Sequence, residues 1–576
     1  MILAAKLWTL LWNYDVFLFH VWKTFGARQN GFLLKYQITN TIMKSSYSLQ
    51  AIRIVLFLFL FIQLPFQSTF ATTPVKEKDN FRFLEMDITQ IQQGYKDGKF
   101  TIREVVQAYK DRMDDIDKNG PALHSIIRLN PDAICIAEKL DRELKHSKKS
   151  MGPLFGIPVV IKDNIDTHDN MPCTAGSRAL RNSYPLKDSY VAKQLRAAGA
   201  IIIAKSNLSE WANFRGQLST SGWSGLGGQT KNPYELSRNP CGSSSGSAVA
   251  VSANLTAVAI GTETDGSIVC PAQTNGIVGI KPTVGLISRA GVIPISSTQD
   301  TPGPMGRTVR DVAICLGALV GVDSADVKTL ASPGHYHKDY TQFLKKDGLK
   351  GKRIGLFKVP YGINYKVDTL MNQAVSYLKS QGVEIIEVPE ITNAKVDKYE
   401  NEIMLYEYKD GLNKYFRSLG PKAPIKSIEE LIAFNKADSI ELRFFNQRYL
   451  EQALEKGDLN SKEYKEALAN LMKGSQAEGI DKVMNENKLD AIIAPTGSPA
   501  WKSDLTNGDS FQIGTSSPSA QAGYPDITVP MGFVDELPVG ISFFGRAWSE
   551  PVLLEIAYAY EQGTKYRKVP EFLKGE

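Results

Sequence analysis

Between residues 150 and 320, short apolar runs bounded by glycine or proline alternate with stretches of helical spacing. This alternation constrains the fold more than any other feature of the chain. Pro158–Lys162 reads as a buried strand, 189–198 as a helix stopped by Gly199, and 201–204 as the next strand. Residues 245–254 form a helix of small residues and 257–261 a further strand. A strand, a helix and a second strand in succession cross over and return, so repeated units build a sheet with helices on both faces. The pattern resumes with a strand at Arg353–Phe357, a helix at 368–380 and a strand at Glu384–Val388. It closes with strands at 490–494, 524–530 and 537–543 and a helix at 551–562. Residues 396–486 are charged, helical and poor in strands, and read as an excursion that covers a cleft. Upstream, a helix spans 87–96, and Thr101-Ile102-Arg103-Glu104 is a capping box opening another. No Pro- or Ser-rich linker interrupts 80–570. The expectation is one large α/β domain over 72–576, with a mixed, mostly parallel sheet.

The N-terminus has a different texture. Met43 opens a secretion-signal pattern: Lys44 and Arg53 are basic, 54–62 is unbroken and apolar, and Thr69-Phe70-Ala71 offers a cleavage site. The run is short for a membrane span, which needs about 20 residues; an uncleaved anchor is the alternative. Residues 1–42, with Trp8, Trp12 and Trp22 and an apolar stretch broken by Lys6 and Asp15, read as a mis-called translation start. The chain is thus expected to be secreted or periplasmic, without a stable membrane anchor after cleavage near Ala71. Six basic residues against Asp15 give 1–71 a net +5, so the whole-chain +6 leaves +1 for the rest. A near-neutral body lacks the clustered positive charge that nucleic acid requires.

Cysteine and histidine are sparse. The five cysteines show no C-x-x-C, and their odd number leaves at least one free thiol. Cys241 and Cys270 read as small buried fillers. Of six histidines, only His335 and His337 stand close together, in a loop after Ser332-Pro333-Gly334, and they read as solvated. No metal or cofactor is expected.

Catalytic chemistry must then come from other residues. Amide hydrolysis needs a nucleophile, a general base and an oxyanion hole. Ser267 follows Asp265-Gly266, where glycine lets backbone N–H groups turn toward one point. The amides of Asp265, Gly266 and Ser267, with Thr264 in the same segment, are the candidate hole; a tight strand–helix turn is the plainer reading. Lys162 ends an apolar strand. It either snorkels or pairs at the surface, or it is buried, which lowers its pKa and makes it a base. Gly242-Ser243-Ser244-Ser245-Gly246 matches the G-x-S-x-G nucleophile elbow. That reading needs a late histidine, and only His335 and His337 follow. Ser376-Tyr377-Leu378-Lys379 matches S-x-x-K, but sits on an amphipathic helix without its companion motifs.

Taken together, Gly156–Asn164, 204–211, 239–248, 261–272, Gly276–Thr283 and Asp300-Thr301-Pro302-Gly303-Pro304 resemble the amidase signature family of Ser-cisSer-Lys hydrolases. The resemblance covers nearly all of 85–565. It implies Ser267 as nucleophile, Ser243 as bridging serine after a cis bond from Gly242, and Lys162 as base. The 24-residue step between the serines fits the family interval. Many members carry Gly-Gly before the nucleophile; Asp265-Gly266 here looks like the peptide amidase branch. The implied activity is hydrolysis of small-molecule or peptide amides through an acyl-enzyme. The alternatives are an ammonia-generating component of a glutamine amidotransferase, which an export signal disfavours, and an inactive amide-binding homologue.

Overall fold

A computed structural model of the protein describes residues 80–146, 151–392 and 394–575. The expected N-terminal extension, signal and cleavage site lie outside these residues. Among them, thirteen strands occur: β1 (Ile126–Leu129), β2 (Pro158–Lys162), β3 (Ile201–Ser206), β4 (Trp223–Ser224), β5 (Gly228–Gln229), β6 (Val258–Glu263), β7 (Val278–Lys281), β8 (Thr301–Gly306), β9 (Arg353–Phe357), β10 (Glu384–Val388), β11 (Ala491–Pro495), β12 (Asp526–Val534) and β13 (Leu537–Phe544). Eleven of them form one mixed sheet in the order β1-β3-β2-β6-β8-β7-β12-β13-β11-β9-β10. β4 and β5 form a separate ribbon.

The parallel pairing expected from the sequence lies on two flanks, β3-β2-β6 and β11-β9-β10. Between them, β6-β8-β7-β12-β13-β11 is antiparallel. Local chemistry explains part of the antiparallel centre. β12 and β13 are joined only by Asp535-Glu536, with Asp535 at positive φ, and so short a connection can only make a hairpin. Helices flank the sheet, including Ser245–Ser252 against β6, Val309–Leu319 against β8 and Glu550–Thr564 against β12. β2, β3 and β6 are buried along their whole length, as strands covered on both faces must be.

The excursion is helical as expected, with Ala394–Ser418, Ile428–Ala437, Arg448–Glu455 and Lys462–Met472 as its main helices. A fully buried Arg215 ties it to the sheet-side chain, 3.1 Å from Glu210 and 3.3 Å from Glu441. The two carboxylates and the cation compensate one another where none can reach water. The predicted capping box is formed: Thr101 Oγ1 accepts from Glu104 N, and Glu104 Oε2 accepts from Thr101 N. No helix among the described residues is long and apolar enough to cross a membrane.

Candidate active site

Neighbouring parallel strands bring the site together. Lys162 is the last residue of β2, and β6, beside it, runs the same way and ends at Glu263. Both strands therefore deliver their C-terminal ends to one edge, where open α/β sheets place ligands. Ser243 enters from a third element, just before the helix Ser245–Ser252. That helix packs so closely that a Cβ on Gly246 would lie 2.2 Å from Ser125 O, which accounts for its small residues. The Gly242–Ser243 peptide bond is cis, as the resemblance implied.

The structure brings Lys162 and Ser243 into direct contact. Lys162 Nζ lies 2.7 Å from Ser243 Oγ, 2.9 Å from Thr262 Oγ1 and 3.1 Å from Thr262 O. Neither Lys162 nor Ser243 has exposed surface. Burial lowers the Lys162 pKa from 10.5 to about 7, against the opposing pull of the Asp300 and Glu263 carboxylates. The surface alternative for this lysine is therefore excluded. Ser267 is 9% exposed at the edge of the same site. Its carbonyl accepts from Ser244 N at 3.1 Å, which docks the two serine segments on each other. Among the described residues its hydroxyl has no protein partner.

The segment Thr264–Ser267 follows β6 in an irregular arc. Gly266 sits at φ +73°, a conformation in which a side chain is strained. Glu263 pins the far end of the arc: its Oε2 accepts from Ile268 N at 2.7 Å and Val269 N at 3.0 Å. At the near end, Thr264 Oγ1 donates to Asp300 Oδ1 at 2.6 Å. Ser516 and Ser517 hold the Asp265 carboxylate at 2.5 and 2.7 Å. Among the described residues, the amides of Thr264, Asp265, Gly266 and Ser267 have no protein acceptor. Sequence reasoning missed the parts played by Thr262, Glu263 and Asp300, all of which stand in motifs quoted for the family resemblance.

A cavity of about 510 Å³ opens over this arc. Gly242, Asp265 and Gly266 line one side, and Leu218, Tyr449, Trp501 and Phe511 supply apolar walls. Its two charged lining residues are both carboxylates, Asp265 and Asp509. Asp509 accepts from Ser221 N, Ser221 Oγ, Asn239 Nδ2 and Trp501 Nε1.

Cys241 and Cys270 also line this cavity, and here the expectation fails. They are not separate fillers but a disulfide, 29 residues apart in sequence. Each flanks one serine motif, so once those motifs meet the thiols meet too. Cys135, Cys173 and Cys315 are free. The exposed His335 agrees with the solvated reading and stacks on Trp548, while His337 is half-buried and packs edge-on against Phe343. Among the described residues no group of three or more His, Cys, Asp or Glu could hold a metal ion.

The model of the amidase family matches residues 104–554. The chain belongs to the amidase family. A probable amidase of Arabidopsis thaliana is 41% identical over 513 residues, covering 87% of this chain and 94% of that one. A crystal structure of a peptide amidase in complex with the competitive inhibitor chymostatin is 48% identical, with a TM-score of 0.83, covering 85% and 100% of the two chains. A glutamyl-tRNA(Gln) amidotransferase component from a Cyanothece strain is 32% identical over 481 residues, covering 81% and 95%. The protein is an amidase, an enzyme that hydrolyses amide C–N bonds.

Proposed function

We propose that this amidase hydrolyses peptide amides through an acyl-enzyme on Ser267, with Ser243 as proton relay and Lys162 as base. The 2.7 Å contact between a fully buried Lys162 Nζ and Ser243 Oγ carries the reading. With its pKa near 7, the amine is substantially neutral at neutral pH and can take a proton. Ser243 passes its proton to Lys162 and receives that of Ser267. Ser267 Oγ attacks the amide carbon, and the unclaimed amides of Thr264–Ser267 are the donors for the oxygen that becomes negative. Bound substrate draws Ser267 into line, since catalytic hydrogen bonds tighten in the reacting complex. The relay returns the proton to the departing nitrogen, ammonia leaves, and water repeats the path to free the acid.

The two carboxyl groups that line the cavity favour a C-terminal peptide amide over free glutamine. A C-terminal amide is neutral, whereas the α-carboxylate of glutamine would face Asp265 and Asp509. The apolar walls suit a peptide side chain. A similar peptide amidase binds chymostatin as a competitive inhibitor, which supports the same direction. Export from Met43 belongs to this reading. The Cys241–Cys270 disulfide supports it, because such bonds persist in oxidising compartments and are rare in the cytosol.

The test is ammonia release from dipeptide amides, free glutamine and simple aliphatic amides. Peptide amides are expected to exceed glutamine in kcat/KM by about a hundredfold or more, roughly 3 kcal/mol of discrimination. Equal or faster turnover of glutamine would overturn the substrate assignment in favour of the amidotransferase-type reaction.

A further inference from the structure

Asp300 stands just before β8 and is not among the residues lining the substrate cavity. Its Oδ1 accepts from Thr264 Oγ1 at 2.6 Å. Its Oδ2 accepts from Ile295 N at 2.8 Å and Ser296 N at 2.9 Å. One carboxylate thus joins the first residue of the oxyanion segment to a separate loop.

A small cavity of about 10 Å³ is lined by Asn164, Thr262, Thr264 and Asp300 among others. That is the size of one water site, and its lining is polar enough to hold one. Asn164 Oδ1 is buried there without a protein partner. Thr262 Oγ1 accepts from Lys162 Nζ at 2.9 Å and from Asn164 Nδ2 at 3.0 Å. Arg289, Val292 and Asp300 line both this cavity and an outer one of about 580 Å³. Asp300 therefore separates the polar shell of Lys162 from a surface cleft.

We propose that Asp300 is a positioning residue of this amidase: its carboxylate fixes the oxyanion segment through Thr264, and its charge, acting across the one-water cavity, sets the pH at which Lys162 gives up its proton. The proposal rests on the reading of Lys162 as base. Glu263 faces Lys162 from β6, and Asp163 pairs with Lys205 at 4.0 Å alongside. Arg289 faces Asp300 and is itself clamped by Asp326. Glu407, on the excursion, holds Ser296 and Thr298. Of the two carboxylates that oppose desolvation of Lys162, Asp300 acts more strongly. Burial lifts its own pKa to about 6, against its three hydrogen bonds and the Arg289 cation.

The experiment is kcat/KM against pH for Asp300→Asn, Thr264→Val and Lys162→Arg. An asparagine at 300 removes the charge and retains three contacts: its oxygen accepts from the two amides, and its nitrogen donates to Thr264 Oγ1, reversing that bond. Without that charge the neutral lysine is favoured further. The acidic limb should therefore move to lower pH by roughly half to one unit. Thr264→Val keeps the charge and cuts the tie, so kcat should fall about tenfold or more with the limb in place. A folded Asp300→Asn enzyme with an unmoved limb, or one moved to higher pH, overturns the proposal. If that variant does not fold, an undiminished kcat in Thr264→Val overturns it. Lys162→Arg separates the two readings. If it is inactive while Asp300→Asn leaves the limb unmoved, only the role of Asp300 fails; if it is fully active, the base assignment itself fails.

Discussion

Replacing Lys162 with methionine should destroy activity and stabilise the protein in a pH-dependent way. A lysine whose pKa drops from 10.5 to about 7 on folding costs ~5 kcal/mol of stability at pH 7 and below. Methionine has similar length and no charge to desolvate. The substitution also removes hydrogen bonds, but unequally. Thr262 O keeps Ser244 Oγ as donor, and Thr262 Oγ1 keeps Asn164 Nδ2. Only Ser243 Oγ loses its partner, at a cost of roughly 1–3 kcal/mol. The net gain near pH 7 is therefore ~2–4 kcal/mol. The sign with pH follows from proton binding. Between pH 7 and 10.5 the unfolded chain holds a proton on Lys162 that the folded chain has released, so wild-type stability rises with pH across that window. The variant has no such group. Thermal melts of both proteins from pH 6 to 10.5 should show the widest gap at pH 7 and below, closing or reversing toward pH 10.5. A gap that stays constant with pH, or a Lys162→Met protein less stable at pH 6–7, would refute the claim that burial holds this amine neutral.

Three further outcomes follow from other parts of the site. Ser243→Ala should lose activity but less severely than Ser267→Ala, because water can partly replace a relay and not a nucleophile; equal kcat losses would count against the relay. Mutating both Cys241 and Cys270 to serine should cost about 3–4 kcal/mol, the loop-entropy value for a 29-residue separation, and a folding midpoint unchanged in denaturant would show that the bond is not a staple. N-terminal sequencing of the protein expressed with its own leader should find a mature chain beginning near Thr72, and recovery of residues 1–42 in the product would contradict export from Met43.

Much of the fold was legible because its strands are short, apolar and punctuated. Pro158–Lys162, Arg353–Phe357 and Glu384–Val388 appear with the expected bounds. β8 was not legible as a strand, since Thr301-Pro302-Gly303-Pro304-Met305-Gly306 carries two residues that cannot donate to a ladder. It is tolerated because β7 pairs with it only at Met305 and Gly306, beyond both prolines. The glycine there also has a contact reason: a Cβ on Gly303 would fall 2.1 Å from Ile280 O. β1 and β7, each four residues long, offer too little pattern to separate from a loop. In the candidate site, Lys162, Ser243 and the segment Thr264–Ser267 stand in their own motifs, so sequence could name them. The disulfide could not be read from spacing, because 29 residues fit no short framework. Its geometry exists only once Ser244 N meets Ser267 O. Asp300 was visible as part of a motif, but its contact with Thr264, 36 residues away, was not.

The central claim is that the acyl group passes through Ser267. Both serines lie on one tryptic fragment, 239–289, because Lys281 precedes a proline that blocks cleavage. Fragmentation spectra must therefore locate the label. The direct measurement is acid quench of the enzyme during turnover of a slowly deacylating peptide ester or amide, followed by mass analysis of that fragment. The account predicts an added mass equal to the substrate acyl group, placed on Ser267 and absent from Ser267→Ala. An acyl group on Ser243, or first-turnover ammonia release from Ser267→Ala at more than about a hundredth of the wild-type rate, would contradict it.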